Sequence, residues 1–442
     1  MNHSTFTPRT ATAIIIANMV GVGVFTTLGF QLVETHSLFA VMMLWVIGGI
    51  AALCGALSYA ELGASLPRSG GEYNFLSEAY HPAAGFVSGW VSATIGFAAP
   101  TAAVAIAFAN YSGAVLPFEL SPESKKVIAC SLVIILAFLH AFSRRVSGQT
   151  QTISTAIKLI LITAFIIAAF TLTKAPQPLN LIPSPKDFSV MTATSYGVAL
   201  IYASFAYTGW NAATYVSGEM ANPQQDLPRV LLTGTALVTI LYVILNLAFL
   251  YATPVDALAG QVEIGYIAAD RIFGDTGGRI VGGMLAILLI STVSAMTLAG
   301  PRALQALGQD YTVMNWLAKS TKDNVPWFAI AFQSVIAVLF ILTSSFKTIL
   351  VFAGSMLAFN SFLAIFGLFL LRWRLPDLPR PYKTWGYPFV PLIYLLITAV
   401  TVIFVVIDSP QAAAGGLGLI VLGLLIWAIS ERFDGKRRLR DN

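Results

Sequence analysis

Charge is what this sequence has least of. Only 10% of its 442 residues are Asp, Glu, Lys or Arg, while 57% are hydrophobic. Soluble domains carry about a quarter charged residues, so a mean hydropathy of +0.78 excludes an ordinary water-soluble fold and implies a polytopic membrane protein. Histidine and cysteine are scarce too, with four and two residues. Such numbers argue against a metal or redox centre, and no metal ion or cofactor is expected. Cys54 and Cys130 fall inside apolar runs, where reduced, packed thiols are the expected state. Long polar stretches are missing as well, so residues 1–442 are expected to form a single integral membrane domain. The start, Met1 to Arg9, lacks the pattern of a cleavable signal ahead of a soluble domain, and the first apolar segment is long enough to remain as a span.

What the chain has is long apolar runs. A span needs about 20 apolar residues, and twelve candidates are present at approximately 11–32, 38–62, 83–114, 127–143, 150–173, 195–217, 230–252, 280–305, 326–343, 348–371, 386–407 and 412–430. An even count puts both termini on one side. The loops of that side hold 17 of the 25 Lys and Arg residues, including Arg68, Arg144, Arg145, Lys322 and the tail Lys436-Arg437-Arg438, and the opposite side holds 7. The excess marks the terminal side as cytoplasmic. The net charge of +5 is therefore read as a topology signal near lipid headgroups, with no nucleic-acid partner expected.

Two of these runs are interrupted where a helix should be continuous. Gly21-Val22-Gly23-Val24-Phe25 lies in the middle of the first span, and each glycine weakens a helix by about 1 kcal/mol relative to alanine. Free backbone groups at that depth are tolerated only beside a cavity or other protein. A break there presents N–H groups with partial positive charge on one half-helix and free carbonyls on the other. Close helix packing through small residues would use the same glycines. In the sixth span, Phe205-Ala206-Tyr207-Thr208-Gly209-Trp210 again sets a glycine among polar-tipped aromatics, with Tyr207 too deep for an interfacial belt. Interruptions five spans apart are the pointer to an inverted repeat with a midplane site. The repeats would cover 11–173 and 195–371, with two extra helices in 386–430. N–H groups beside carbonyls suit a zwitterion whose carboxylate and ammonium lie on adjacent atoms, an α-amino acid. Hydroxyls of Thr26, Ser204, Thr208, Ser291 and Thr292 could assist, although bonding back to the helix is the commoner use of each.

These residues resemble a known family. The first-span motif is similar to the Gly-Ser/Thr-Gly-Ile-Phe signature of the amino acid-polyamine-organocation (APC) superfamily, and Phe205 to Asn211 resembles the sixth helix of its L-type amino acid transporter-like branch. Gly48-Gly49, Ser58-Tyr59-Ala60-Glu61-Leu62, Pro67-Arg68-Ser69-Gly70-Gly71-Glu72-Tyr73, Gly85-Phe86, Gly89-Trp90, Gly218-Glu219, Asn222-Pro223 and Leu227-Pro228-Arg229 match further. The resemblance implies an all-α fold of 12 transmembrane helices with a LeuT-like 5+5 inverted repeat and discontinuous helices 1 and 6. It implies a substrate site built from Met19, Gly21, Val22, Gly23, Phe205, Ala206, Tyr207, Thr208 and Gly209. In that site the N–H groups around Val22 and Gly23 would bind the carboxylate, and the carbonyls of Met19, Phe205, Ala206 and Thr208 would receive the ammonium. Phe205 and Trp210 would act as gates. Val22 stands where the signature has Ser or Thr, so a side-chain hydroxyl to the carboxylate is lost and the backbone donors remain.

Lys158 lies about 8 residues into the fifth span, roughly 12 Å deep at 1.5 Å per residue. A charge at that depth is by default functional, unless the ammonium snorkels to the surface. The resemblance implies that it replaces a structural sodium, between the Gly21 carbonyl and Ser291 or Thr292, so that transport is sodium-independent and runs as exchange or proton-coupled symport. No acidic residue falls at the centre of spans one, three, six, eight or ten, and Glu61 and Glu219 sit toward span ends, so a neutral amino acid is expected over a cationic one or a polyamine. The stretch Gly96 to Ala102 is small apart from Phe97 and leaves room for a side-chain pocket. Neither cysteine falls in an external loop, which argues against a covalently attached partner subunit. An intramembrane enzyme would need a nucleophile and base inside the spans, and none is evident. A non-transporting amino acid sensor on the same scaffold stays open.

Overall fold

The computed structural model describes residues 7–35, 37–68, 70–142, 148–321 and 325–441. Ser69, Arg144, Arg145 and Lys322, used above, lie outside the described residues, as do the side chains of Glu219 and of the basic tail. The chain is all-helical. The first half runs α1 (Pro8–Met19), a 3₁₀ turn (Gly23–Phe25), α2 (Thr27–Glu34), α3 (Leu38–Ser65), α4 (Glu72–Ala79), α5 (Pro82–Val91), a π turn (Ser92–Phe97), α6 (Ala98–Val115), α7 (Pro122–Phe142) and α8 (Gly148–Leu172). The second continues with α9 (Pro185–Met191), α10 (Thr194–Ala206), a 3₁₀ segment (Ala212–Glu219), α11 (Pro223–Ala252), α12 (Val255–Leu258), α13 (Ile264–Asp310), a 3₁₀ segment (Thr312–Ala318), α14 (Trp327–Thr343), α15 (Phe346–Arg374), α16 (Phe389–Asp408) and α17 (Pro410–Asp441).

Local sequence sets many of these boundaries. Proline occupies the first turn of α1, α5, α9 and α11, where its missing N–H is no loss. Thr7, Ser37 and Ser345 accept a backbone N–H of the first turn of α1, α3 and α15. Inside α13 the chain bends at Gly274, whose φ of 76° removes it from helical geometry.

Among the described residues ten helices are long and apolar enough to cross a membrane, or eleven if α9 and α10, bent by 72°, form one span. Twelve spans were expected. Each of the twelve intervals does contain helix, but α14 has only 17 residues and α10 stops at 13 because the break at Tyr207 ends it.

The core runs through the centre of the bundle, where α3 lies along α11, α6 along α13, and α10 against α15 and α16. Outer faces are apolar: Ile160, Ile240, Ile287 and Leu396 are more than half exposed, as lipid-facing positions should be. At one end of the bundle Glu61 of α3, 1% exposed, binds Arg372 of α15 through two bonds of 2.9 and 2.7 Å, lies 3.5 Å from Arg380 and accepts the Thr384 N–H at 2.7 Å. That cluster fixes α15 and the chain that follows it to α3.

Candidate functional site

The two interrupted helices meet at their breaks. After Met19 the chain turns sharply, with the Gly21 N–H bonding back to the Met19 carbonyl at 2.7 Å. A Cβ on Gly23 would lie 2.5 Å from the Ala206 Cα, and a Cβ on Gly209, whose φ is 98°, would lie 2.8 Å from the Asn18 carbonyl carbon. Each break thus uses one glycine to admit the backbone of the other. The N–H groups of Val22, Gly23 and Val24 find no acceptor among the described residues, and the carbonyls of Ala206 and Thr208 accept no hydrogen bond there. Donors and acceptors of opposite partial charge are therefore left unspent on two segments in contact, a costly arrangement for buried backbone unless a ligand or water completes it.

Other carbonyls predicted for the ammonium are already engaged. The Met19 carbonyl also accepts the Tyr242 hydroxyl, and the Phe205 carbonyl accepts both the N–H and the hydroxyl of Thr208, at 3.0 and 2.7 Å. Thr26 likewise donates to the Val22 carbonyl at 2.9 Å. Tyr207 spans the junction, its hydroxyl donating to the Trp45 carbonyl at 2.9 Å, and its ring packs close against Gly48, where a Cβ would come within 3.1 Å.

A cavity of about 370 Å³ opens beside this junction. Asn18 of α1, Ser204, Tyr207, Thr208, Gly209 and Trp210 of the sixth-span break, and Gly96, Phe97 and Pro100 of the third span form much of its wall. The stretch expected to leave side-chain room is thus brought to the cavity, at the end of a π turn, a device common at functional sites. Of the nine predicted substrate residues, Tyr207, Thr208 and Gly209 line the cavity. Met19, Gly21, Val22, Gly23, Phe205 and Ala206 do not line it. Phe205 is 3% exposed and packs near Gly354 of α15, whereas Trp210 faces the cavity, edge-on to Tyr59 and Tyr394 at 4.7 and 6.2 Å. The two predicted gates therefore stand on different sides of the break.

Lys158 is 4% exposed, its ammonium 2.9 Å from the Thr292 hydroxyl and 3.5 Å from a carbonyl of the first-helix break. That carbonyl is Val20's and not Gly21's. Thr292, which passes its own hydrogen to the Leu288 carbonyl at 3.1 Å, is the hydroxyl in contact; Ser291 is not. An ammonium so enclosed does not snorkel. Gly21 instead walls the small void beside it.

Glu72, named above only within a matched motif, was given no role in the site. It is 1% exposed, lines the cavity and accepts bonds from Tyr59 (2.9 Å), Asn211 (2.5 Å) and Tyr215 (2.5 Å). Gly71, at φ 54°, turns the chain so that α4 re-enters the bundle, and this carboxylate ties α3 to the second half of the sixth span. The Gly70-Gly71 pair was the available signal. Arg302, Tyr394 and Thr398 also line the cavity and were missed. No group of His, Cys, Asp and Glu that could hold a metal occurs among the described residues.

A bundle with two broken helices around a central cavity defines a solute carrier. The sequence profile of the family described as "Amino acid permease" matches residues 6–429, and the chain belongs to that family, within the APC superfamily. It is a multi-pass membrane protein of a transporter family and not an enzyme. It is similar to the "Large neutral amino acids transporter small subunit 2" of Mus musculus, 28% identical over 96% of this chain and 81% of the relative. The "Serine/threonine exchanger SteT" of Bacillus subtilis (strain 168) is 28% identical over 87% of this chain and 86% of its own length. The "b(0,+)-type amino acid transporter 1" of Mus musculus is 27% identical over 90% and 81%.

Proposed function

We propose that this protein moves neutral L-amino acids across the plasma (inner) membrane by alternating access, independently of sodium, as an exchanger or proton-coupled symporter. The reading rests on one observation: the N–H groups of Val22, Gly23 and Val24 and the carbonyls of Ala206 and Thr208 are left unspent on the two broken segments that touch at Gly23 and Gly209. That arrangement complements a carboxylate and an ammonium on one carbon and leaves the substrate side chain to point elsewhere. The cavity beside the junction, reached by Thr208 and walled in part by Gly96, Phe97 and Pro100 of the third span, offers room for the side chain. Lys158 supplies a fixed positive charge to the carbonyl end of the first break, the position a sodium ion would otherwise occupy.

The proposed frame is a 12-helix LeuT-like arrangement, with 11–173 and 195–371 as inverted repeats and 386–430 as two added helices. Cytoplasmic termini follow from the distribution of Lys and Arg. With that orientation the cavity, walled by Glu72 and Arg302, opens toward the cytoplasm, and Phe205 is packed away on the closed, external side. Support for a neutral substrate comes from the names of two relatives above, which specify large neutral amino acids and serine or threonine. The mouse relative is named as a small subunit; here both cysteines belong to helices, Cys54 in α3 and Cys130 in α7, and a covalent partner is not proposed.

Glu72 favours a second reading, a cationic amino acid or polyamine, because it puts a carboxylate on the cavity wall. Three donors already occupy it, so the neutral reading is preferred. A thermal-shift panel on purified protein separates the two: stabilisation by arginine, lysine or putrescine alone selects the second. Uptake of labelled neutral amino acids into proteoliposomes, with and without internal substrate, tests the first and should persist when choline replaces sodium. Absence of counterflow with binding intact would identify a sensor.

A further inference from the structure

A second cavity of about 300 Å³ lies apart from the substrate junction, between α8 and α13 with Phe249 of α11 at its back. Its walls are almost wholly hydrocarbon. Along α8 it is bounded by Leu161, Ala164 and Ala168, one side of the helix over about 10 Å at 1.5 Å per residue. Ala164 is exposed, and across the opening Phe273 and Met284 of α13 are 39% and 43% exposed, so the cavity is a slot with a mouth rather than a sealed void. The flanks of the mouth are Ile160, Ile167, Ile280 and Ile287, each more than half exposed. In a multi-pass membrane protein such faces meet the bilayer, and the medium in contact with the mouth is acyl chain. A dry apolar cavity of this size gains dispersion contacts when filled by hydrocarbon and cannot hold water well.

Charge at the rim agrees with a lipid origin. Lys174 follows the end of α8 by two residues and Arg271 precedes Phe273 by two, both exposed and neither in an ion pair among the described residues. Both stand at the bundle end where α8 leaves the apolar zone, the depth of phosphate headgroups.

We infer that this slot is a binding site for one acyl chain of a bilayer phospholipid, inserted between α8 and α13 with its phosphate near Lys174 and Arg271. Phe25, Ile162 and Leu285 wall both the slot and the small void beside Lys158. A bound chain therefore backs the wall against which the Lys158 contact is held, independently of which amino acid is carried.

Reconstitution with a phosphatidylcholine carrying a diazirine within its acyl chain, followed by illumination and peptide mass spectrometry, tests the site. Label is expected on Ile162 or Leu285, which are 2% and 8% exposed and beyond the reach of lipid that only surrounds the protein. An Ala164→Trp/Ala168→Trp variant should lose these interior labels and keep those on Ile160 and Ile287. Label confined to Ile160, Ile167, Ile280 and Ile287 in the unaltered protein would overturn the inference, as would interior labelling that survives the tryptophans. If the double variant fails to fold, the labelling pattern of the unaltered protein decides alone, with Ala168→Phe as the milder filling variant.

Discussion

Glu61 and Lys158 are both buried charges on long apolar helices, and they are compensated to different degrees. Glu61 has two arginines and a backbone N–H around it, with its strongest bonds at 2.7 Å. Lys158 offers three donors and meets one hydroxyl at 2.9 Å and one carbonyl at 3.5 Å. A fully paired buried ion fixes a fold, because removing either partner strands the other. A sparingly paired one is held where its surroundings can change. The first joins α3 to α15, and the second bridges the break in the first helix to α13, a contact that the proposed alternating-access cycle would have to remake.

The largest expected effect tests the Lys158 side. Lys158→Ala should reduce proteoliposome transport to background while the protein still purifies and melts cooperatively; unchanged kinetics would erase the contrast. Glu61→Gln should act the other way round, lowering stability by about 3–5 kcal/mol, read as a fall in melting temperature of protein in detergent. If Glu61→Gln melted normally but failed to transport, Glu61 would belong with Lys158. Thr292→Val removes the shorter contact to the ammonium without changing side-chain shape much, and a buried donor left unsatisfied costs about 1–3 kcal/mol. Its transport rate should drop by more than its melting temperature suggests. The smallest change is expected from Val22→Ser, which restores a hydroxyl near the free N–H groups and should preserve or tighten substrate binding by up to about 1 kcal/mol, measured as Kd by thermal titration. Loss of all binding in that variant would remove the backbone-only account of carboxylate recognition.

The broken helices were visible in the sequence because glycine pairs and polar aromatics in an apolar run are local signals. Lys158 was visible for the same reason: a lone charge among hydrocarbon stands out without any knowledge of its neighbours. Glu72 stood in a matched motif, but its place on the cavity wall was not visible, since a glutamate in a short polar loop reads as solvated until Gly71 is seen to turn α4 back into the bundle. The partner of Lys158 was narrowed to one stretch of backbone but missed by a residue, because one hydrogen bond from Gly21 to Met19 sets where the carbonyls point. The count of spans suffered from the breaks themselves, which shorten α10 below the length that an uninterrupted crossing would need.

By itself the sequence determined the class: apolar runs of membrane length with few charges leave helices as the structure that satisfies every backbone group without water. It also determined where two of those helices fail, since glycine's helix penalty is intrinsic. Only the tertiary structure decided which buried backbone groups stay unspent, that Gly23 and Gly209 fit against each other's helices, and that a cavity and an apolar slot lie at different levels along α13. Those are matters of distance between segments far apart in the chain, and no local preference carries that information.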